Sequence, residues 1–336
     1  MHTSLCKHAF IATAAIALLT NCAGGSSTPA SRLASPQTFH TGSQAMPSCP
    51  CLYVANYATQ TVTVYPSGAM NNAKPIQTIT GTLKQPLAVT VDAGAHIYVA
   101  NYNGGTGKGS VTIYGAGATG NAAPIQTIQG DDTGLDHPIG IALDPMTGDI
   151  YVANTSNNTI TAYASSANGD ATPIATIGGA NTEIDDPDSV ALDASGNIYV
   201  ANYASSAVTV YAAGSTGNLT PTRTIAGPRT KLDHLFGVAV DSALDVYVSS
   251  QNNAVTVYAP GADGNATPIQ YIKGNVTKLK GPTGLALDGG DNIYVPSASK
   301  TWITVYAAGS TGNTAPINRI RGKRTELNDP FGIAVR

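Results

Sequence analysis

Four short sequence strings recur six times each along the chain, always in the same order, with a period of about 48 residues. Each string has the length of a strand, is rich in β-branched and aromatic residues, and is bounded by Gly, Asn, Asp or Pro. A repeat of this period predicts one supersecondary unit per copy, stacked into an array. The Tyr-Val string begins at Tyr53, Tyr98, Tyr151, Tyr199, Tyr247 and Tyr294.

Four strands in a repeat of this length predict the blade of a β-propeller. Strings such as Ile150-Tyr-Val-Ala are apolar on both strand faces, which is typical of a sheet packed on both sides. Tight turns are predicted between strings, for example at Ala-Gly-Ser-Thr-Gly-Asn in residues 213–218 and 308–313. We therefore predict an all-β, six-bladed β-propeller with four antiparallel strands per blade, spanning residues 49–336.

The two ends of the repeat region complement each other. Residues 52–56 correspond to the second strand of a repeat, whereas the chain ends on a lone first strand, Pro330–Val335. The C-terminal strand is therefore expected to pair into the N-terminal blade and close the ring, which removes two open sheet edges.

The repeat motif, Pro-x-Gly-Ile-Ala-x-Asp followed by Gly-Asn-Ile-Tyr-Val-Ala-Asn, resembles the NHL repeat. It is also similar to the bacterial Tyr-Val-Thr-Asn propeller repeat, with Ala in the place of Thr. The resemblance covers residues 52–335 and implies a six-bladed propeller. It implies little about function, because such repeats serve adhesion, sensing, scaffolding and lyase chemistry.

The N-terminus has the pattern of a bacterial export signal. Lys7 and His8 precede a short apolar run over residues 9–19, and Leu19-Thr20-Asn21-Cys22 resembles a lipobox. Asn21 departs from the small residue usual before the lipidated Cys22, so simple signal-peptide cleavage is the alternative. We expect residues 1–22 to be a signal peptide and residues 23–48 a flexible tether. The protein is then extracytoplasmic, lipid-anchored in a bacterial envelope or otherwise secreted.

Cys49 and Cys51 form a Cys-Pro-Cys motif in this export context. A disulfide across one residue is strained, although the compartment permits it. The pair is either structural, redox-active or part of a soft-metal site, and the motif alone leaves these alternatives open.

Composition excludes one class of partner. The formal net charge is −3, charged residues are 11% of the chain, and no basic stripe is present. Nucleic acid is therefore not expected as a partner. Contact with a membrane is expected only through the lipid anchor, and a closed propeller is expected to be a monomer.

The residue just before each Pro-x-Gly string forms one candidate ring around the channel. Histidine and aspartate ligands there could hold a divalent metal or move a proton. The alternative is that these are turn residues, and we expect no cofactor. In chain order the six positions are Gln85, His137, Asp186, His234, Gly281 and Asp329.

The position between Pro and Gly in the same string tests two enzyme classes. NHL-type lyases that bind zinc in the channel carry His there, and this chain has none. Gluconolactonase-like propellers place acidic and amide ligands in the channel, and Asp188 is the one acidic candidate here. In chain order the six positions are Leu87, Ile139, Asp188, Phe236, Thr283 and Phe331.

The same rim carries further candidates for recognition. Asn ends the Tyr-Val string in four repeats, and Tyr102 follows one of these Asn residues. The loop over residues 102–110 is four residues longer than its counterparts, and Trp302 lies in the corresponding loop of the last repeat. The alternative for the Asn residues is a structural cap.

The Asp residues that end the Pro-x-Gly strings resemble calcium loops, but an Asx-turn explains them without an ion.

These features favour a binding or scaffold module for a protein, peptide or glycan. Its face would carry His137, His234, Tyr102 and Trp302. A metal-dependent lactonase or lyase with a site in the central channel is the alternative, and an inert spacer is a third.

Overall fold

The computed structural model describes residues 51–104 and 107–336, which belong to one compact unit, Met46–Arg336. The described residues form six four-stranded antiparallel sheets, and the predicted six-bladed propeller is confirmed. Cys22, Cys49, the signal peptide and the tether lie outside the described residues. Cys51 is buried at the start of the first strand.

Each blade has an innermost strand on the channel, two central strands and a short outer strand. From the axis outwards, blade 1 contains β24 (Pro330–Val335), β1 (Cys51–Asn56), β2 (Thr61–Pro66) and β3 (Gln77–Ile79). Blade 2 contains β4 (Pro86–Val91), β5 (Ile97–Asn101), β6 (Ser110–Tyr114) and β7 (Gln126–Ile128). Blade 3 contains β8 (Pro138–Leu143), β9 (Ile150–Asn154), β10 (Thr159–Tyr163) and β11 (Ala175–Gly178).

Blades 4 to 6 follow the same plan. Blade 4 contains β12 (Pro187–Leu192), β13 (Ile198–Asn202), β14 (Ala207–Tyr211) and β15 (Arg223–Ile225). Blade 5 contains β16 (Leu235–Val240), β17 (Val246–Ser250), β18 (Ala254–Tyr258) and β19 (Gln270–Ile272). Blade 6 contains β20 (Ala286–Leu287), β21 (Ile293–Ser297), β22 (Trp302–Tyr306) and β23 (Asn318–Arg321). The helical segments of the described chain are three short 3-10 turns, Asp131–Thr133, Ala298–Lys300 and Lys323–Thr325. None of the described residues forms a helix long and apolar enough to cross a bilayer.

The core lies between the blades. Apolar clusters fill the spaces between neighbouring sheets, as where Val62 and Val64 of β2 pack with Ile97 and Val99 of β5. Strands β5, β9 and β13 are buried at every position, as predicted for sheets covered on both faces. Each buried Val or Ile contributes about 1.5–3 kcal/mol through removal of apolar surface from water.

The ring closes as the sequence predicts. Strand β24 pairs antiparallel with β1, with Leu52 opposite Val335 and Val54 opposite Ile333. The first and last segments of the repeat region therefore share one sheet.

A buried tyrosine near the end of each third strand ties that strand to the loop by which the chain enters the blade. The hydroxyl of Tyr163 donates to the carbonyl of Thr133 at 2.7 Å, and Tyr258 donates to Thr230 at 2.6 Å. Burial raises the pKa of Tyr211 to about 12, so its hydroxyl remains a donor. The six tyrosines are Tyr65, Tyr114, Tyr163, Tyr211, Tyr258 and Tyr306.

The turn between the third and fourth strands of each blade contacts the preceding blade. In blade 3, Gly169 donates to the carbonyl of Thr127 at 2.7 Å and accepts from the N–H of Gln129 at 3.0 Å. The next residue, Asp170, accepts the N–H of Asp132 at 2.8 Å. We call these contacts the inter-blade latches, formed by residues 71–72, 120–121, 169–170, 217–218, 264–265 and 312–313.

Candidate functional site

The six residues that precede the innermost strands lie on one end of the propeller and share one backbone conformation. All have positive φ, with values of 54° at His137 and 47° at His234, and glycine occupies the equivalent position 281. Each carbonyl accepts a hydrogen bond from the residue that follows the second strand, as from Thr155 to His137 at 3.4 Å. These positions therefore serve as turn residues, whatever else their side chains do. The other three are Gln85, Asp186 and Asp329.

His137 is held by three neighbours through its side chain and by a fourth through its backbone. Its Nδ1 lies 2.9 Å from the carboxylate of Asp136 and 3.0 Å from the hydroxyl of Ser156. The ring of Tyr102 packs on the imidazole with centroids 4.6 Å apart. The carbonyl of Lys108, in the long loop, accepts the N–H of His137 at 2.6 Å. The extra loop residues therefore reach from blade 2 to the start of blade 3.

Gly109 allows this crossing. Its φ is +107°, and a Cβ at this position would lie 2.1 Å from Cδ of Pro138. The long loop therefore depends on a residue without a side chain where it passes the innermost strand of blade 3.

His234 begins a row of aromatic rings that runs to the channel mouth, the end of the central channel at which the innermost strands begin. Its Nδ1 lies 2.8 Å from the carboxylate of Asp233, and Tyr203 packs against the imidazole with centroids 4.8 Å apart. Tyr203 also contacts Phe236 at 5.3 Å, and Phe236 meets Phe331 edge to face at 6.1 Å. All of these rings are partly exposed. We call them, with Tyr102 and His137, the aromatic face.

The contact between Phe236 and Phe331 was not predicted from the sequence. They belong to blades 5 and 1, and blade 6 separates them. Thr283, the blade 6 counterpart, turns its hydroxyl to the carbonyls of Pro330 and Phe331 at 3.1 and 2.9 Å. The small side chain leaves room for the two rings to meet. The sequence contains a signal for this contact, since two repeats carry Phe at the middle position of the Pro-x-Gly string. The contact itself becomes visible only from the positions of the rings.

An axial cavity of about 710 Å³ lies between the innermost strands. The second residue of the innermost strand forms a β-bulge in blades 1 to 5, and this residue lines the cavity. The bulge residues are Phe331, Leu87, Ile139, Asp188 and Phe236. The mouth is therefore apolar except at one position.

Asp188 is that position. It is 7% exposed, and its carboxylate makes no hydrogen bond or ion pair with any described residue. Burial and, secondarily, the nearby charge of Asp186 raise the pKa of Asp188 well above its usual range. These surroundings favour the neutral form of Asp188 unless a cation lies beside it.

The remaining candidates lie apart from this mouth or serve as supports. The carboxylate of Asp186 accepts the hydroxyl of Thr155, and the carbonyl of Asp329 accepts the N–H of Tyr57. Trp302 packs under the guanidinium of Arg319, 5.4 Å from the ring centroid, and shares no contact with the aromatic face. Among the described residues, no three His, Cys, Asp or Glu side chains are grouped so that they could hold a metal.

The Asn residues that end the second strands are structural, which confirms the cap interpretation. Asn202 is fully buried, donates to Val200 and Thr209 at 3.3 and 3.1 Å, and accepts the N–H of Asp185 at 3.0 Å. Their amide groups are therefore not exposed for ligand recognition. The equivalent residues in blades 1 to 3 are Asn56, Asn101 and Asn154.

The opposite face carries Asx-turns, as predicted from the sequence. Asp193 accepts the N–H groups of Ser195 and Asn197 at 2.9 and 3.0 Å. The same pattern recurs at Asp288, whose carboxylate accepts from Gly290 and Asn292. Backbone donors therefore bond to Oδ1 of each carboxylate, and side-chain donors of a nearby Asn and Tyr bond to Oδ2, so both oxygens are engaged without an ion.

Comparison with known proteins agrees with this architecture. A family model described as "SMP-30/Gluconolactonase/LRE-like region" matches residues 106–230, which is less than half of the chain. A solved structure described as "Crystal structure of Nidogen/Laminin Complex" aligns with a TM-score of 0.60. The alignment has 15% identity and covers 85% of this chain and 97% of that one. No curated protein sequence matches significantly. The chain is thus similar to β-propellers of these kinds, and at this identity the structural likeness shows the fold alone.

Proposed function

We propose that this protein is an extracytoplasmic, lipid-anchored binding module that captures a protein or peptide on its aromatic face. The observation that carries the proposal is the row of partly exposed rings from His234 through Tyr203 and Phe236 to Phe331. Aromatic side chains around a central pocket are the usual anchors of protein interfaces. The proposed module acts as a monomer and needs no cofactor.

The direction of the first strand supports this arrangement. Strand β1 ends at Asn56 on the side of the aromatic face, so Cys51 lies at the opposite end of the blade. The first described strand therefore begins at the end of the blade away from the aromatic face.

The choice of a protein or peptide over a glycan has two supports. The channel mouth is walled mainly by apolar side chains, among them Phe236 and Phe331, whereas sugar sites need many polar groups to match hydroxyls. The solved structure with the similar fold comes from a complex of two proteins.

The test is a selection of displayed random peptides against the full chain, followed by affinity measurements on the peptides recovered. A Tyr102→Ala/Tyr203→Ala variant should bind them about tenfold more weakly. Met146→Ala is the matched control, because Met146 is an exposed apolar residue in the turn after β8, at the opposite end of that strand. Equal binding by wild type and the tyrosine variant would overturn the proposal, as would selection of no peptide at all.

A metal-dependent lactonase or lyase is the second candidate, favoured by the family match over residues 106–230. Its ligands would come from His137, Asp186, His234, Asp329 and the channel residue Asp188. Metal analysis of wild type beside a His137→Ala/His234→Ala variant tests it. Near-stoichiometric metal in wild type that is lost in the variant would place this candidate first.

A further inference from the structure

Asp188 is the one acid among the five bulge residues at the mouth of the axial cavity. It is 7% exposed, lines the axial cavity, and has no hydrogen-bond or ion-pair partner among the described residues. Buried carboxylates normally have such partners, because an unpaired charge in an apolar setting is strongly unfavourable. A ligand that brings a cationic group into the cavity would supply such a partner.

Aromatic rings share the cavity wall with this acid. Phe236 and Phe331 line the same space and contact each other at 6.1 Å, and Tyr203 packs behind Phe236. Ring faces attract cations, and the attraction increases where water is excluded. A buried carboxylate together with phenylalanine rings is a combination suited to an ammonium group on an alkyl stem.

The charges around the mouth favour a cation on the same side. Blades 3, 4 and 5 carry acids at or just before the ring positions, and blade 1 carries the single acid Asp329. Lysines occur before the ring in blades 2 and 6, at Lys84 and Lys280. The acidic half is centred on blade 4, to which Asp188 belongs. Its other members are Asp136, Asp185, Asp186 and Asp233.

We propose that the channel mouth binds an alkylammonium group of the ligand, with its charge on the Asp188 carboxylate and its stem against Phe236 and Phe331. This inference rests on the proposed function, since it names the part of the peptide that enters the cavity. A lysine side chain and a free peptide N-terminus both carry the required group.

The direct test uses a small probe that needs no macromolecular partner. Calorimetric titration at pH 8 of the full chain with n-hexylammonium should show one site, with affinity about tenfold above that for the neutral analogue 1-hexanol. Asp188→Asn should remove this preference and leave hexanol binding unchanged. Asp263→Asn, which deletes an exposed carboxylate outside the cavity and the aromatic face, should retain the preference. Equal affinity for the two probes in wild type, or a preference that survives in Asp188→Asn, would overturn the inference.

Phenylalanine resonances give a second readout that requires no variant. The chain has four Phe residues, and two of them are Phe236 and Phe331. In protein labelled at phenylalanine, hexylammonium should shift the ring signals of two residues and leave the other two unchanged. No shifted ring signal at saturating probe would contradict the inference even if Asp188→Asn fails to fold.

Two peptides separate the sources of the ammonium group. An N-acetylated peptide with one central lysine presents only the side-chain amine, and an unacetylated lysine-free peptide presents only the N-terminus. The peptide whose affinity falls in Asp188→Asn carries the ammonium group that the site binds. If hexylammonium binds but selected peptides do not use the aromatic face, the ammonium site stands and the proposed function fails. If selected peptides bind through the aromatic face but hexylammonium does not bind, the ammonium site is rejected and the proposed function stands.

Discussion

The side chain of Asn72 accepts a hydrogen bond from the backbone N–H of Arg324 at 2.8 Å, across 252 positions of sequence. It belongs to the inter-blade latch through which blade 1 contacts blade 6. The ring is thus closed at two radii, by β24 within blade 1 and by this latch near the periphery.

Asn72→Ala should lower the free energy of unfolding by about 1 kcal/mol, the usual net contribution of one hydrogen bond. The same substitution at Asn218, which accepts the N–H of Asn181 at 2.8 Å, is the matched control inside the ring. We expect equal losses in urea denaturation, but faster amide exchange of β23 only in Asn72→Ala. Unchanged exchange of β23 would show that the latch does not hold the closure.

Blades 5 and 6 have Ser in the place of the Asn cap of blades 1 to 4, so the stability of blade 5 should be open to improvement. Ser250 takes the position of Asn202, and its hydroxyl and that of Thr256 are buried without partners. Ser250→Asn supplies the missing donor, so we expect a gain of about 1 kcal/mol in urea denaturation. The reciprocal Asn202→Ser should lose stability, because it removes the amide that donates to Thr209 and leaves the N–H of Asp185 without its acceptor. A loss of stability in Ser250→Asn would mean that the space is filled by other atoms.

The raised pKa of Asp188 predicts a pH-dependent difference between wild type and Asp188→Asn. Below about pH 4, the ordinary pKa of aspartate, Asp188 is protonated in folded and unfolded chains, and the two proteins should be similarly stable. As the pH rises towards the folded-state pKa, only the unfolded chain releases the proton, so wild type loses stability relative to the variant.

Above the folded-state pKa the difference in stability becomes constant. It then amounts to about 1.4 kcal/mol for each pH unit that separates the folded-state pKa from the unfolded-state pKa. Denaturation series from pH 3.5 to about pH 9 on both proteins measure it. If the unfolding free energies of the two proteins differ by the same amount at every pH, Asp188 has an ordinary pKa.

Gly109→Ala should displace the long loop from His137. The added Cβ would meet Pro138 at a backbone angle that side chains rarely adopt, a strain of about 1–3 kcal/mol. We expect lower stability together with loss of the Tyr102–His137 contact, seen as a changed imidazole signal of His137 in NMR spectra. Gly107→Ala is the control, because its φ is also positive but no atom lies within 4 Å of the added Cβ. An unchanged His137 signal in Gly109→Ala would contradict this role of the loop.

The fold was predictable because the repeat encodes each strand locally. Tyr-Val and Pro-x-Gly strings define strand positions, and the lone C-terminal strand Pro330–Val335 predicts closure. The latches were not predictable, because Gly-Asn indicates a turn whether or not it contacts a neighbour. The Phe236–Phe331 contact depends on Thr283 being small in the blade between them, which no single repeat encodes. Asp188 could be placed in the channel by its position in the repeat, but its isolation depends on five other side chains around the axis.

Hydrogen–deuterium exchange of the full chain with and without a selected peptide would show whether the aromatic face is the binding surface. We predict slower exchange in segments 134–140 and 233–238, which carry His137, His234 and Phe236. We also predict no change in the Asx-turns at Asp193 and Asp288 on the opposite face. Protection confined to those turns, or to the outer strands, would contradict the aromatic face as the binding surface.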